Sequence, residues 1–438
     1  MPKSNPFAPN SPVHSGMFVG RVAELVKLES CLVQTKAGNP SNFMLTGERG
    51  IGKSSLLNYI KDVAEGMEGI EETNVSFLVV DTDVDSSTTQ LGLVEKIRLG
   101  LDRTLGKTEK GLDFLKQSWE FLKRVEGGGF KLRATGQEQS DERLLEEFAY
   151  SLAAVVERVC CEGDSSTFSA RFDGLLILVD EADNASRPLS LGSFFKLLTE
   201  RLHRRGCSHV AFGIAGLPEL RNVLAESHPS SLRLFEELVL GRLSPDEAMR
   251  VLDFGLREAN RLNTETTTIT EEARCHLAYY SEGYPHFIQQ FAFSAFAADK
   301  DNVIDADDVK EGGFGRRGAM ELIGDRYYRD SYYTKIQKES YRQVLRIMAD
   351  KLDDWVTKKE IKSSFKGPES TLDNALKALR DRQIILAKEG ERGVYRLQHK
   401  GFAWWIKLYT TDSANLQQPL TNLRDANQGR GGHSNGEV

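Results

Sequence analysis

The stretch from residue 47 to residue 54 reads GERGIGKS, and it decides the fold expected for this chain. It fits the pattern G-x-x-x-x-G-K-[ST] of a phosphate-binding loop, in which glycines let backbone N–H groups converge on a phosphate. The apolar residues 43–46 before it predict a buried strand, and residues 54–60 predict a helix whose positive end faces the same phosphates. An ordinary glycine-rich turn with a solvated lysine fits this context poorly, so a nucleotide-binding α/β core is expected.

Two side chains of this loop would carry most of its chemistry. Lys53 would reach the β- and γ-phosphates of ATP, and the hydroxyl of Ser54 would ligate Mg²⁺. ATP and Mg²⁺ are therefore the expected cofactors. The other residues of this region predicted to bind nucleotide are Gly47, Glu48, Arg49, Gly50, Ile51, Gly52 and Ser55.

A second motif, GLLILVDEAD at residues 174–183, is a continuous apolar run that ends in carboxylates. Such a run is typical of a central parallel strand whose C-terminal end lies at the ligand crevice. Asp180 would bind the water ligands of Mg²⁺, and Glu181 would polarise the water that attacks the γ-phosphate. The alternative is a core strand followed by an acidic turn, but a phosphate-binding loop upstream favours catalysis. With Lys53 and Glu181 as catalytic residues, hydrolysis of ATP to ADP and phosphate is predicted.

Size and composition limit the class of protein. At 438 residues the chain exceeds one typical core, and its net charge of −7 argues against coating nucleic acid by bulk charge. Its five cysteines show no C-x-x-C spacing, so neither a zinc site nor a disulfide framework is indicated. No signal sequence and no apolar run of membrane-spanning length is found, so a cytoplasmic protein without membrane contact is expected.

The order of patterns along the chain predicts several segments. Alternating strand and helix patterns predict a parallel, doubly wound sheet. Residues 87–162, mainly helical with a short strand at 130–133, are expected to be an elaboration on this core. A capping box at Ser244 opens an all-helical region, and three later helices followed by two strands around a glycine turn indicate a winged helix. The predicted boundaries are an extended arm at 1–17, an α/β core at 18–242, a helical lid at 243–328, a winged helix at 331–410 and a disordered tail at 411–438.

Together these motifs resemble the origin-recognition-type AAA+ ATPases and the related STAND signalling ATPases, over about residues 18–410. The residues FVGRVAEL at 18–25 are similar to the box that opens both groups, and residues 283–285 are similar to the STAND G-x-P motif. The resemblance implies that Phe18, Val19 and Arg21 pack around the adenine and ribose. It also implies that Pro285 contacts the nucleotide from the lid.

Two features depart from these families. Gly216 follows the predicted strand 210–215 where the families often place a polar sensor, so sensing of the γ-phosphate by a side chain is not expected there. Arg233 is a candidate arginine finger that could reach a neighbouring subunit, with Arg221 as the alternative, but a solvated or ion-paired arginine is the commoner case.

The charge distribution leaves two kinds of partner open. Residues 331–410 contain 17 Lys and Arg against 10 Asp and Glu, a net charge of +7, so the remainder of the chain carries −14. This surplus would suit duplex DNA or docking against the acidic body of the chain. The third predicted helix of the winged helix, near residues 369–382, would be its recognition helix. It is not strongly basic, because Lys377 is flanked at helical spacing by Asp373 and Asp381.

The leading hypothesis is an ATP-binding and ATP-hydrolysing molecular switch, which couples nucleotide state to domain movement, oligomerisation or partner recruitment. Its expected partners are ATP and ADP, with a homo-oligomer or a partner-protein complex in one nucleotide state. A DNA-binding ATPase that acts through its winged helix, in replication, transposition or a mobile element, is the alternative. The third hypothesis is an ATPase subunit of a multi-protein anti-phage system, since no effector motif is visible in the sequence.

Overall fold

The computed structural model describes residues 3–12, 18–67, 74–106, 109–122, 137–160, 171–352 and 354–410. The short strand predicted at 130–133 and the disordered tail predicted at 411–438 lie outside these residues. The chain divides into a core unit, Asn10–Leu243, and a second unit that combines Met1–Pro9 with Ser244–Val438. Among the described residues, no helix has both the length and the apolar content to cross a bilayer.

A five-stranded parallel sheet forms the centre of the core unit, with strand order β2-β3-β4-β1-β5. Strands β1 and β4 are buried along their whole length, as expected for apolar runs covered on both faces. The sheet confirms the predicted α/β class. The strands are β1 Asn42–Thr46, β2 Phe77–Asp83, β3 Gly174–Asp180, β4 Val210–Gly216 and β5 Phe235–Val239.

Helices surround this sheet, and those between β2 and β3 contribute to its core. Leu101, Trp119 and Phe148 come from the segment predicted to elaborate on the core, and they share one buried apolar cluster with Phe212 of β4. That segment is therefore part of the packing that stabilises the sheet. The helices of the core unit are Val22–Lys36, Lys53–Ala64, Gln90–Leu105, Glu109–Ser118, Gln137–Cys160, Leu191–Arg204 and Leu220–Ser227.

The register of the sheet brings the carboxyl ends of its strands to one edge. Asp83 of β2 is opposite Asp180 of β3, and Thr46 of β1 is opposite both Gly216 of β4 and Val239 of β5. In parallel sheets ligands bind at this edge. The residues that follow β1, β3 and β4 are therefore neighbours at one site.

The second unit is mainly helical. Ser244 and Glu247 form the expected capping box at its first helix. A pair of two-residue parallel strands, β6 Thr268–Ile269 and β7 Val303–Ile304, is added to the segment predicted to be all-helical. The helices are Pro245–Leu262, Glu271–Ser281, Pro285–Ala298, Ala306–Phe314, Ala319–Tyr327, Glu339–Ala349, Lys358–Ser364, Glu369–Asp381 and Lys400–Tyr409.

A small antiparallel sheet follows in the region predicted to be a winged helix. It consists of β8 Val356–Thr357, β9 Ile385–Ala387 and β10 Val394–Leu397, in the order β8-β10-β9. The three predicted helices and both predicted strands are found, and β8 is an additional strand.

Aromatic side chains join the two halves of the second unit. Trp404 and Trp405 of the last helix are buried. The ring of Trp404 lies 5.1 Å from that of Tyr280, and the ring of Trp405 lies 5.6 Å from that of Tyr332. A Cβ atom at Gly324 would lie only 1.8 Å from the indole of Trp405, so this contact requires a glycine. Residues 244–328 and 331–410 therefore share one core.

The N-terminal arm, residues 3–9, belongs to the same unit. Its Phe7 is buried against Gly255, where a Cβ atom would approach the ring to 2.2 Å. The ammonium of Lys3 lies 2.8 Å from a carboxylate oxygen of Asp299, and the amide of Ala8 donates to Gln289 Oε1 at 3.0 Å. The arm has no helix or strand, but it is anchored along its length.

Candidate nucleotide site

Glycines shape the loop that follows β1. Gly50 and Gly52 have φ angles of 74° and 98°, in the left-handed region that favours glycine. A Cβ atom at Gly47 would lie 2.9 Å from the Ile51 side chain and 3.0 Å from the Leu240 carbonyl. Because Gly52 caps the helix that begins at Lys53 and has no side chain, the first N–H groups of that helix remain available to an anion. The loop therefore has the geometry of a phosphate cradle.

The side chain of Lys53 folds back onto this loop. Its ammonium donates to the carbonyl oxygens of Gly47 at 2.7 Å and Glu48 at 3.0 Å. Burial lowers the pKa of Lys53, while the nearby carboxylates of Asp180 and Asp183 act in the opposite direction. A partly buried cation that is held by main-chain oxygens is suited to take phosphate oxygens as partners instead.

The structure brings the two predicted magnesium ligands together. The hydroxyl of Ser54 donates to Asp180 Oδ2 at 2.6 Å, and Asp180 Oδ1 accepts the amide of Glu181 at 2.8 Å. Mg²⁺ in nucleotide sites takes one or two such protein oxygens together with phosphates and water. This donor set and the glycine cradle fit ATP with Mg²⁺, and the metal when bound would neutralise phosphate charge.

Glu181 has a strained backbone. Its φ of 53° is left-handed, and it precedes the short 3-10 helix Ala182–Asn184. This conformation costs a non-glycine residue about 1–2 kcal/mol, and strained residues of this kind cluster at functional sites. The side chain is exposed at the end of β3, and its Oε2 accepts Asn184 Nδ2 at 3.3 Å. The carboxylate is thus accessible beside Asp180.

Two further residues of the site, Asp183 and Asn184, lie in the turn just after β3 and were not assigned a role from the sequence. Asp183 Oδ1 accepts the amide of Leu217 at 2.9 Å, and Asn184 contacts the carbonyl of Val84 at 3.5 Å. Gly216 leaves room for the first contact, because a Cβ atom there would lie 2.6 Å from Asp183 Oδ1. The signal in the sequence that could have pointed to Asp183 is that it is the third carboxylate of the DEAD motif at residues 180–183.

The residues predicted to contact adenine and ribose lie next to the loop. The guanidinium of Arg21 is buried and donates to the carbonyls of Ile51 at 2.7 Å and Gly241 at 2.8 Å. The ring of Phe18 lies 5.5 Å from that of Tyr59, and Val19 is half-buried. Arg21 thus ties its segment to the phosphate loop, while contact of these residues with a base remains a prediction.

The remaining predicted site residues are Arg221, Arg233, Pro285, Arg49 and Ser55. Arg221 is ion-paired with Glu237 of β5, and Arg233 is exposed on the 3-10 helix Pro229–Leu234. Pro285 is the first residue of its helix in the second unit. Within the loop, Arg49 is exposed and the side chain of Ser55 is half-buried. An arginine finger from Arg221 or Arg233, a lid contact from Pro285, and nucleotide contacts from Arg49 and Ser55 remain predictions.

The fold and the site define a P-loop ATPase domain. Residues 17–205, less than half of the chain, match the family model of the AAA ATPase domain. The chain is also similar to the ORC2 protein of Aeropyrum pernix, whose structure was solved as ADPNP–ADP complexes. The TM-score is 0.52 at 14% identity, over 97% of this chain and 98% of that one. This similarity shows that the two chains share a fold.

Two further proteins are similar to this chain. Cdc6p of Pyrobaculum aerophilum matches with a TM-score of 0.41 at 14% identity, over 92% of this chain and 97% of that one. An uncharacterized HTH-type transcriptional regulator of Methanocaldococcus jannaschii is 27% identical over 298 residues. That match covers 65% of this chain and 65% of the regulator, just under two thirds of its length.

Proposed function

We propose that this protein is an ATP-hydrolysing molecular switch. The observation that carries the proposal is the position of Lys53, whose ammonium is bound by the carbonyls of Gly47 and Glu48. When a γ-phosphate binds, this ammonium would direct N–H donors to phosphate oxygens in addition to or in place of those carbonyls, so the loop has different partners with and without ATP. Such a local exchange is the first step of nucleotide switching.

The same cluster accounts for hydrolysis. Lys53 stabilises charge on the phosphates, Ser54 and Asp180 hold the Mg²⁺ site, and Glu181 orients the attacking water and accepts its proton. Arg221 would have to leave Glu237 to act as a finger. Since a finger supplied in trans is worth about 10³–10⁵ in rate, basal turnover of the isolated protein is expected to be slow.

The responding element in this proposal is the second unit as a whole. Trp404 contacts Tyr280 across the shared aromatic core, and the amide of Gly401 donates to Glu282 Oε1 at 2.8 Å. Interiors packed in this way move as rigid bodies. The lid and the winged helix are therefore expected to change position together when ATP replaces ADP.

The test is a size measurement by light scattering, first with ADP and then with a non-hydrolysable ATP analogue, each with and without duplex DNA. A change in radius or mass between the two nucleotides supports the switch, and Lys53→Ala serves as the control that must abolish the difference. Identical values in both nucleotides, together with measured ATP binding, would reject the switch and retain a plain ATPase.

A second candidate function is that of a DNA-binding ATPase. It is supported by the similarity to an HTH-type transcriptional regulator, by the helices and strands expected of a winged helix, and by the charge of +7 over residues 331–410. Several of these cations are already engaged within the unit, however. Lys358 contacts Glu369 at 3.0 Å and Asp373 at 2.6 Å, and Lys362 donates to the Gly367 carbonyl at 2.8 Å.

Two exposed cations offer a sharper test of this candidate. Lys359 lies on the helix Lys358–Ser364 and Arg392 on the turn between β9 and β10, and both side chains are exposed. Their reversal to glutamate should remove DNA binding at low salt, and each lost phosphate contact lowers the salt slope by about 0.9. Lys358→Gln is the control, since Lys358 is held by Glu369 and Asp373 and a glutamate there would repel both. If intact ATP-bound protein does not bind duplex DNA at low salt, a protein partner, including the subunit hypothesis, is favoured.

A further inference from the structure

The turn that carries Glu181 is attached to both strands that flank β3. On one side, Asn184 Nδ2 lies 3.5 Å from the Val84 carbonyl, and the Val84 amide donates to the Asp180 carbonyl at 3.1 Å. On the other side, Asp183 Oδ1 accepts the Leu217 amide at 2.9 Å. Val84 follows β2 and Leu217 follows β4, so the turn is anchored across three adjacent strands.

The anchor to β4 also reaches the base of the phosphate loop. Leu217 follows Gly216, and Gly216 is paired with Thr46, the last residue of β1 before the loop begins. Asp183 therefore connects the turn of Glu181 to the strand pair from which Lys53 and its loop extend. A residue substituted at Gly216 would break this connection, because its Cβ atom would lie 2.6 Å from the Asp183 oxygen.

We propose that Asp183 is a positioning residue for ATP hydrolysis, which acts by fixing Glu181 relative to the phosphate loop through its hydrogen bond to Leu217. The inference rests on the proposed ATPase function. Glu181 is held at a φ of 53°, and such a conformation persists only where its surroundings enforce it. Without the anchor, the turn can relax and displace the carboxylate, and a displacement of about 1 Å can cost a factor of 10² in rate.

The hydrogen bond, rather than the charge, is the property that the proposal requires. Asp183→Asn keeps an oxygen that can accept the Leu217 amide, whereas Asp183→Ala removes it. Gly216→Ala disturbs the same contact from the other side. Asp173→Ala is a matched control, because Asp173 Oδ2 accepts the Ser76 amide at 2.8 Å, just ahead of β3 at its opposite end.

Two measurements test the proposal in the full chain. In the absence of nucleotide, hydrogen exchange of the Leu217 amide should be faster in Asp183→Ala than in the wild type, and unchanged in Asp183→Asn. With ATP, kcat should fall about 10- to 100-fold in Asp183→Ala and Gly216→Ala while KM stays within about twofold. Asp183→Asn and Asp173→Ala should retain wild-type kcat.

The outcomes separate this inference from the proposed function. Wild-type kcat in a folded Asp183→Ala variant would overturn the positioning role, and so would an Asp183→Asn variant as slow as Asp183→Ala, since charge would then be the operative property. A wild-type protein that binds no ATP would instead overturn the proposed function. Thermal unfolding of each variant shows whether a loss of turnover is a loss of folding.

Discussion

Replacement of Glu181 by glutamine tests the catalytic assignment most directly. Glutamine keeps the length of the side chain and an oxygen that can accept Asn184 Nδ2, and the main-chain bond from residue 181 to Asp180 is unaffected. Stability should therefore change by less than about 0.5 kcal/mol, and ATP affinity should be preserved. Turnover should fall by roughly 10²-fold or more, because the amide cannot accept a proton.

The backbone of the same residue provides a companion experiment. Glu181→Gly also removes the carboxylate, but it relieves a left-handed strain of about 1–2 kcal/mol. Greater freedom of glycine in the unfolded chain offsets roughly 0.4–1 kcal/mol of this relief. The glycine variant should therefore be as stable as the wild type or up to about 1.6 kcal/mol more stable, which raises Tm by at most about 3–6 °C.

The assays are phosphate release under saturating ATP, titration with a fluorescent nucleotide, and thermal unfolding of the three proteins. Loss of turnover in both variants, with the glycine variant at least as stable as the glutamine variant, is the expected pattern. Equal turnover of Glu181→Gln and the wild type would show that another residue activates the water, and the assignment of Glu181 would be abandoned.

Three further predictions concern other residues. Lys53→Ala should weaken ATP binding roughly ten- to a hundredfold by titration calorimetry while Tm changes little, because a charged hydrogen bond to phosphate is worth about 1.5–3 kcal/mol; unchanged affinity would remove the phosphate-loop assignment. Burial and the guanidinium of Arg326 lower the pKa of His286 to about 4. As pH falls from about 6.5 to 4, the unfolded chain binds a proton at this residue before the folded chain does, so part of the stability present at neutral pH should be lost. Partial exposure limits this loss to about 2 kcal/mol, and a His286→Gln variant melted over the same pH range should lack it. Gly255→Ala places a Cβ atom 2.2 Å from the Phe7 ring, so it should lower the free energy of unfolding by about 1–3 kcal/mol. In a protein that already carries Phe7→Ala, the same change should lower it no further. If the losses of the two single variants add up in the double variant, the contact is contradicted.

Much of the core was predictable because its signals are local. The glycine loop and the apolar run of β3 each define their own element, and the parallel sheet follows from their alternation with helices. The apolar run at residues 77–80 indicates strand β2, but the strand continues through polar residues to Asp83. The polar C-terminal end of β2 is paired with β3 as far as Asp180. Polar residues that pair in this way cannot be recognised as strand from an apolar pattern in the sequence.

The site was predictable in part for a similar reason. Ser54 and Asp180 were expected to share a metal, and they are hydrogen-bonded, because the ends of β1 and β3 meet at the same edge. The proposed role of Asp183 depends on the amide of Leu217, 34 positions away, and a carboxylate after β3 does not by itself reveal that partner. The burial of Arg21 against two carbonyls is hidden from the sequence in the same way.

The attachment of the N-terminal arm makes the second unit discontinuous along the chain, with the whole core unit inserted between its two parts. Lys3 and its partner Asp299 are 296 residues apart. At a synthesis rate of about 5–20 residues per second, the ribosome needs roughly 15–60 s to add that many residues. During this interval Phe7 has no Gly255 to cover it, whereas the core unit can already fold. The arm is therefore among the last parts of the described chain to reach its native place, and its early residues must be kept from other apolar surfaces until then.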